Sequence, residues 1–240
     1  MNDIEESDYL ASYDLRCYDI PMVSVDAALF TFHEDVIKIL LVQRQNHPDK
    51  GKWGLPGGFV DKHKDRHLED TVLRKIQEKT GVVPPYIEQL QSFGSANRDK
   101  RDWSITICYS ALISYQSCAP HISTVADAAW VNLKTVARRA LAFDHQSLIA
   151  HARERLRQKA LYSVVPGYAL PEKFTFPELQ KLHEALIGKP LQKRSFRRRI
   201  EAANLLEDTG EKRSEKGPPA ILYRLRKNSA QFTFNRNLEE

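Results

Sequence analysis

Apolar side chains alternate with polar ones, or form short continuous runs, through most of the first half of the chain. The alternation starts at Met22 with VSVDAALFTF, turns at HED and resumes in VIKILLVQR, which ends at Arg44. Three later segments, IEQLQSFGSA, SITICYSALIS and AAWVNL, have the same character. An apolar period of two residues bounded by polar turns is typical of β-strands. The pattern predicts a hairpin followed by three further strands.

Helical periodicity replaces this pattern in two places. One helix is expected at about residues 66–80, because Gly81 is a typical C-terminal cap and two prolines soon follow it. A second helix is expected from about Asp144, a residue suited to an N-cap, with an apolar stripe that includes Leu148. The prolines and glycine of VVPGYALPEK then indicate a domain boundary near residue 160.

The last third of the chain has the order helix, short turn, helix, hairpin. Thr175 is expected to cap a helix that ends at Gly188. A second, strongly basic helix is expected at residues 192–204, with Phe196 on its buried side. The strand-like runs LLEDTG and AILYRLR, separated by EKRSEKGPP, predict a hairpin. This is the order of a winged helix-turn-helix domain, whose second helix enters the major groove of DNA.

Composition limits the possible classes of protein. At 240 residues the chain is long enough for one large or two modest domains with ample core. No apolar run approaches about 20 residues, and the acidic start MNDIEESDYL does not resemble a signal peptide. We therefore expect a cytoplasmic protein without a membrane segment. Cys17, Cys108 and Cys118 lack metal-ligand spacing, so we expect reduced thiols, with Cys108 in the core.

Charge divides the chain into two unlike parts. Residues 151–240 contain 19 Lys and Arg against 11 Asp and Glu, whereas residues 1–150 contain 17 against 20. A basic C-terminal part suggests a polyanionic partner. The basic helix and the basic hairpin loop occur together, which favours duplex DNA over a merely solvated face, although a protein-interaction or RNA-binding module stays open. The candidate DNA-binding residues are Thr175, Lys193, Arg194, Ser195, Arg197, Arg198, Lys212, Arg213 and Lys216.

Residues 57–82, GGFVDKHKDRHLEDTVLRKIQEKTGV, resemble the Nudix box, the loop-helix-loop of hydrolases that cleave nucleoside diphosphates joined to another moiety. Arg74, Ile76 and Glu78 fit that pattern. Lys75 and Lys79 stand where the family has glutamates, and the upstream glutamate falls on Arg66 or Lys64, depending on the direction of counting. The family uses these carboxylates to hold Mg²⁺, which a protonated lysine cannot ligate. We therefore expect no metal site, no catalytic residue and no hydrolysis.

A hydrolase with an unusual box is the alternative. In that case Glu78 would be joined by Asp65, Glu69 or Asp70 as substitute metal ligands, and the substrate would be ADP-ribose or a related nucleoside diphosphate derivative.

A degenerate Nudix box followed by FTFPELQKLHEALIGKPLQKRSFRRRIEAANLLEDTGEKR and GPPAILYRL resembles the NrtR family, the bacterial Nudix-related transcriptional regulators of NAD metabolism. The similarity covers residues 22–226. It implies that the Nudix domain binds ADP-ribose as an effector, with no cofactor. It also implies that the winged helix binds a palindromic operator as a homodimer, and that the ligand weakens repression.

The resemblance assigns candidate residues to the effector pocket. Arginine side chains suit the diphosphate, glycines permit a close backbone approach, and a tryptophan offers a stacking face. Phe143 and Asp144 follow the last strand and could also line the pocket or a dimer contact. The candidate ligand-binding residues are Arg44, Gly57, Gly58, Lys75, Glu78, Lys79, Arg98, Arg101, Trp103 and His145.

The expected fold is α+β, with a Nudix-like mixed-sheet α/β/α sandwich followed by a winged helix-turn-helix domain. We expect a polar leader at residues 1–20 and an effector domain at 21–160 that ends in a linker helix. A DNA-binding domain at 161–230 and a tail at 231–240 complete the chain.

Overall fold

The computed structural model describes residues 5–119, 122–214, 218–235 and 237–238. Seven strands form one sheet in the order β3-β2-β1-β6-β5, with β4 paired to β1 and β7 paired to β2. The pair β1 and β6 is parallel and the other pairs are antiparallel, so the sheet is mixed as expected. The strands are β1 (Met22–His33), β2 (Val36–Arg44), β3 (Trp53–Gly54), β4 (Gly57–Phe59), β5 (Tyr86–Ser95), β6 (Ser104–Leu112) and β7 (Val125–Asn132).

Within the described residues, five α-helices and a second hairpin accompany the sheet. The helices are α1 (Glu6–Ser12), α2 (Leu68–Thr80), α3 (His145–Tyr162), α4 (Phe176–Ile187) and α5 (Lys193–Ala202), and the hairpin consists of β8 (Leu206–Arg213) and β9 (Ala220–Leu225). Helix α1 has no buried residue. None of the described helices combines the length and apolarity that a bilayer crossing requires.

Helix α2 starts two residues later than the sequence suggested. The Asp70 carboxylate accepts hydrogen bonds from the backbone N–H groups of Arg66 and His67, at 3.0 and 2.9 Å, and this fixes the start of the helix after His67. Its end at Thr80 agrees with the prediction, because Gly81 adopts φ 75° and donates its N–H to the Gln77 carbonyl. A left-handed conformation of this kind costs glycine little.

Helices cover both faces of the sheet. Alternate residues of β1 point in opposite directions, so Phe30 packs in a cluster with Leu148 of α3, whereas Leu29 packs with Val72 and Ile76 of α2. The predicted α/β/α layering is confirmed. Cys108 lies in the α3-side core, as predicted.

The helix-turn-helix domain packs directly on the sheet domain. One apolar cluster includes Ile37 of β2, Leu156 of α3, Leu182 of α4 and Phe196 of α5. Helix α3 runs two residues past the predicted boundary at residue 160. The two regions are therefore joined by a shared core as well as by the chain.

Candidate functional site

A cavity of about 390 Å³ opens where β1, β4, α2 and the start of α3 meet. Two of the ten predicted ligand residues, Glu78 and Trp103, lie outside its lining. Glu78 is held by Arg74 and Lys75, and the half-exposed Trp103 ring packs against Gly94. The other eight line the cavity, namely Arg44, Gly57, Gly58, Lys75, Lys79, Arg98, Arg101 and His145.

Gly57 is required by the sheet itself. It pairs with Asp26 across β1 and β4, and a Cβ atom here would lie 2.2 Å from the Asp26 carboxylate and 2.3 Å from the Val25 carbonyl oxygen. Gly58 has φ 154°, in a region that side chains rarely adopt. These glycines were predicted to let a ligand approach the backbone, but the contacts that forbid a side chain at Gly57 come from the protein.

Asp26 is a central cavity residue that the sequence analysis missed. Its carboxylate is buried and accepts a hydrogen bond of 2.7 Å from the Thr106 hydroxyl. Its oxygens also lie 3.6 Å from the Arg98 guanidinium and 3.5 Å from His145 Nε2. The available signal was a single acidic residue within the apolar run VSVDAALFTF, because buried carboxylates are uncommon unless they have partners.

His145 forms part of the cavity wall in its neutral state. Its Nδ1 atom accepts a hydrogen bond of 2.8 Å from the Leu55 N–H. Burial holds the pKa of His145 below its ordinary value. Since Nδ1 acts as the acceptor, the proton of the neutral ring is on Nε2, which faces Asp26.

Two of the cavity arginines already have carboxylate partners. Arg98 donates to both oxygens of Asp144, at 3.1 and 3.0 Å, and also to the Ser104 hydroxyl at 3.2 Å. Arg101 donates to both oxygens of Asp99, at 3.0 and 2.6 Å. Two-point pairing of this kind fixes the plane of a guanidinium. These arginines are thus held in place before any ligand arrives.

Two other cations, Arg44 and Lys79, have no carboxylate within ion-pair distance among the described residues. Arg44 donates to the Pro48 carbonyl at 2.7 Å, and its guanidinium lies 4.7 Å from the centre of the Phe143 ring. Burial, followed by the charge of Arg101, lowers the pKa of Arg44. Burial also lowers the pKa of Lys79 to about 8. Burial is the main cause of both changes, and neighbouring cations add to it, so an anion bound beside these side chains would favour their charged forms.

The carboxylates of the Nudix-like box, residues 57–82, form ion pairs and a helix cap within the protein. Arg74 pairs with Asp65 at 2.5 Å and with Glu78 at 3.1 Å, and the Arg74 hydrogen bond holds the pKa of Asp65 well below its usual range. Asp70 caps α2, and Glu69 is exposed. Within the part of the chain that the structure describes, no three His, Cys, Asp or Glu side chains converge as a metal site.

The outer face of α5 presents cations to solvent. Lys193, Arg194 and Arg198 are exposed and have no carboxylate partner among the described residues, and the same holds for Lys212 on β8. Ser195 lies on the same side, where its N–H is bonded to the Gln192 side chain. This face has the form expected of a surface that meets DNA phosphates.

The other four predicted DNA contacts do not belong to this set of exposed cations. Arg197 donates to the Glu201 carboxylate at 2.8 Å, and its guanidinium lies 5.0 Å from the centre of the Phe176 ring. Its contacts are thus with other residues of the same domain. Thr175 is buried and caps α4 through Glu178, and Arg213 pairs with the same glutamate. Lys216 lies outside the described residues.

Comparison with known proteins gives two family matches. Residues 166–225 match the NrtR DNA-binding winged helix domain, and residues 21–152 match the NUDIX domain. The ADPR responsive transcriptional repressor NtrR of Acinetobacter baylyi is 39% identical over 239 residues, which covers 100% of this chain and 96% of that protein. The chain belongs to the NrtR family. The predicted family and the predicted fold class are both confirmed.

Solved structures of another NrtR protein support the same assignment. Shewanella oneidensis NrtR in complex with a 27mer DNA is 60% identical, covers 90% of this chain and 99% of its own, and has a TM-score of 0.85. The NUDIX domain of that NrtR in complex with ADP ribose is 55% identical over 64% of this chain and 99% of its own, with a TM-score of 0.62. Outside the NrtR family, an ADP-ribose pyrophosphatase of Methanocaldococcus jannaschii is 35% identical over 56% of this chain and 74% of that enzyme.

Proposed function

We propose that this NrtR-family chain is a transcriptional repressor that binds operator DNA through its winged helix and releases it when its cavity binds ADP-ribose. One observation carries the proposal: a single chain has two separate groups of cations without carboxylate partners among the described residues. Arg44 and Lys79 line the cavity, and Lys193, Arg194 and Arg198 lie on the exposed face of α5. The first group suits a small anion and the second suits a polyanion.

ADP-ribose fits the chemistry of the cavity because its diphosphate needs cationic partners. We assign the diphosphate to Arg44 and Lys79, with Lys75, Arg98 and Arg101 completing the positive wall. His145, Gly57 and Gly58 shape that wall. Glu78 and Trp103 are not part of this contact set, because neither lines the cavity.

The chain is proposed to sense ADP-ribose without hydrolysing it. Lys75 and Lys79 place ammonium groups where a Nudix hydrolase needs carboxylates, and the nearby Asp65 and Glu78 are already paired with Arg74. Cations beside the diphosphate neutralise it directly, so Mg²⁺ is not required. We expect the Kd for ADP-ribose to be the same in Mg²⁺ and in EDTA.

A hydrolase is the second candidate, favoured by the similarity to the pyrophosphatase of M. jannaschii. The two functions are distinguished by release of AMP from ADP-ribose in Mg²⁺ across a range of pH, with a known ADP-ribose pyrophosphatase as the positive control. We expect no AMP above the protein-free background. Enzyme-dependent release that EDTA abolishes would overturn the proposal of a non-enzymatic sensor.

On the DNA side, we propose a homodimer that binds a palindromic operator in the cytoplasm, at genes of NAD metabolism. A symmetric dimer presents two α5 helices to half-sites separated by about 10 base pairs or a multiple of it. Duplexes selected from a random pool should contain inverted repeats with that spacing. A single-stranded RNA competitor should not displace them, and if it did, the RNA-binding alternative would be favoured.

The proposed regulation is tested by titrating the selected duplex against a panel of NAD-pathway metabolites at fixed salt. We expect ADP-ribose to weaken duplex binding by five-fold or more, with and without Mg²⁺. Unchanged duplex affinity at saturating ADP-ribose would overturn the regulatory role.

A further inference from the structure

Helix α3 begins in the cavity wall. The three residues at its start, Phe143, Asp144 and His145, each contact a residue that lines the cavity or flanks it. Asp144 pairs with Arg98, and His145 accepts the Leu55 N–H. Phe143 has φ 51°, a left-handed conformation that is unusual for a bulky residue. Strain of this kind persists only where the surroundings hold it.

The contacts that hold this conformation come from Asp49, in the loop after β2, and from the cavity residue Arg44. The Phe143 N–H donates to Asp49 at 3.1 Å, and the Arg44 guanidinium lies over the Phe143 ring. The start of α3 is therefore fixed by two of the arginines that are proposed to meet the ligand.

The other end of α3 is bonded to the DNA-binding domain and to the segment that follows it. His183 of α4 donates from Nδ1 to the Ala160 carbonyl at 2.9 Å, and the Phe234 N–H donates to the Tyr162 carbonyl at 2.8 Å. An α-helix rises about 1.5 Å per residue, so the 18 residues of α3 connect the two sites over about 27 Å.

We infer that Asp144 is the positioning residue through which the cavity acts on α3: an anionic ligand competes with Asp144 for Arg98, and loss of that ion pair releases the start of the helix. This inference rests on the proposed function. It identifies the pair that responds to the ligand.

Asp144 occupies the Nε–Nη2 edge of Arg98, which an anionic group can also bind with two parallel hydrogen bonds. The Nε and Nη2 atoms of Arg98 donate to Asp144, its Nη1 atom donates to Ser104, and Asp26 lies 3.6 Å from Nη2. A guanidinium has five N–H donors in a fixed plane, and three of those of Arg98 are engaged, so a phosphate group that binds the Nε–Nη2 edge with two parallel hydrogen bonds displaces Asp144. Asp144 is the acceptor that sits at the start of a helix.

Arg101 provides an internal comparison. It is held by Asp99 with the same two-point geometry at the same cavity, but both residues belong to the loop between β5 and β6. A ligand that displaces Asp99 would free an arginine without releasing α3. Comparing the Arg98–Asp144 pair with the Arg101–Asp99 pair therefore distinguishes two effects. Both pairs report competition between ligand and carboxylate for an arginine, but only the first can change the position of α3.

The test compares Asp144→Asn with Asp99→Asn in the full-length protein. Asp144 makes no capping hydrogen bond to α3, and Asn is itself a good N-cap, so the substitution removes the ion pair without removing a cap. The measured quantity is the ratio of duplex Kd values with and without saturating ADP-ribose, for a duplex selected in vitro. Circular dichroism and thermal unfolding confirm the fold of each variant.

For the wild type we expect a ratio of five or more. Asp144→Asn should bind the duplex weakly in both conditions, with a ratio within about two-fold of one, and should bind ADP-ribose more tightly than the wild type. Asp99→Asn should keep the wild-type ratio. The inference would be overturned if Asp144→Asn kept the wild-type ratio, or if both variants lost it equally.

A second variant controls for the case in which Asp144→Asn does not fold. Asp144→Ser also removes the charge and is a good N-cap, so it should reproduce the loss of coupling, and wild-type coupling in a folded Asp144→Ser protein would contradict the inference. A different result would contradict the proposed function itself. If the duplex Kd of the wild type is the same with and without ADP-ribose, the ligand does not regulate DNA binding, and the role of Asp144 does not arise.

Discussion

The cavity and the face of α5 are both rich in Lys and Arg, but they hold these side chains in different ways. In the cavity, Arg98 and Arg101 are fixed by carboxylates, and the Arg98 side chain is 6% exposed. On α5, Arg194 and Arg198 extend into solvent without a carboxylate partner among the described residues. The cavity thus orients two of its arginines with carboxylates, whereas the α5 face exposes Arg194 and Arg198 to solvent.

This difference matches the two kinds of anion that we propose. A small ligand with a defined shape is bound best by groups that are already oriented, because little conformational entropy is then lost on binding. DNA has a long, regular array of phosphates, which flexible cations neutralise while releasing counterions. Salt should therefore weaken duplex binding strongly and ligand binding much less.

The largest predicted effect concerns the exposed cations. Reversal of both charges in Arg194→Glu/Arg198→Glu should weaken duplex binding by about 100-fold or more at 0.1 M salt, and should lower the slope of log K against log salt by about two. Lys62→Glu/Arg66→Glu, on the exposed surface before α2, makes the same change in net charge and is the matched control. Equal losses in both variants would mean that net charge, and not the α5 face, attracts DNA.

The next effect tests Lys79, one of the two cavity cations without a carboxylate partner among the described residues. Lys79→Met should weaken ADP-ribose binding by about 50-fold, the size typical of a lost charged hydrogen bond. In the free protein the pKa of Lys79 is about 8, and a bound diphosphate should raise it. Affinity should therefore be constant at low pH and fall by up to about ten-fold per unit above pH 8.

The control for this pH dependence is Lys79→Arg. Arginine stays protonated throughout the range, so titration calorimetry should give a flat profile up to about pH 9.5. A fall above pH 8 that persists in Lys79→Arg would assign the titration to another group.

His183 offers a test of the junction between the two regions. It is completely buried, its Nε2 has no hydrogen-bond partner among the described residues, and burial lowers its pKa to about 4. The unfolded value is about 6.5, so the neutral ring contributes stability that is complete above pH 6.5 and is lost as the pH falls toward 4. Between pH 7.5 and 5 the free energy of unfolding should decrease by about 2 kcal/mol from this residue.

Urea unfolding of His183→Leu provides the comparison. His145 is also buried with a lowered pKa and contributes to acid sensitivity in both proteins. The difference between wild type and variant therefore isolates His183. An identical pH dependence in the two proteins would show that His183 does not titrate on unfolding.

The smallest effect is expected at the edge of the same junction. Lys181 of α4 and Asp35 of the β1–β2 turn form an ion pair at 3.1 Å, but both side chains are more than half exposed. Exposed pairs contribute little, so Lys181→Ala should change the free energy of unfolding by less than about 0.5 kcal/mol. A larger loss would indicate that this pair, and not the shared apolar core, holds the two domains together.

The elements that the sequence predicted well are those with local signals. Thr175 and Glu178 form a capping box three residues apart, and Gly188 ends α4 in a left-handed conformation. The basic helix was recognised because Phe196 and Ile200 are spaced for one buried face. Each of these signals lies within a few residues of the element that it specifies.

The cavity was predicted less completely because its contacts are distant in sequence. Asp26 hydrogen-bonds Thr106, which is 80 residues away, and its role emerges only when β1 and β6 pair. Similarly, Arg98 reaches Asp144 across 46 residues. Trp103 was assigned to the cavity from its place in a loop, but the direction of its ring depends on Gly94 of the neighbouring strand.

The central claim, that ADP-ribose and DNA weaken each other's binding, is tested most directly by measuring the effect of DNA on ADP-ribose binding. The Kd for ADP-ribose is determined by titration calorimetry for the free protein and for the protein saturated with the selected duplex, at one salt concentration, and the nucleotide is recovered afterwards. We predict that the duplex weakens ADP-ribose binding by five-fold or more, by the same factor with which ADP-ribose weakens duplex binding, and that the ADP-ribose is recovered intact. Equal Kd values with and without duplex would contradict the account.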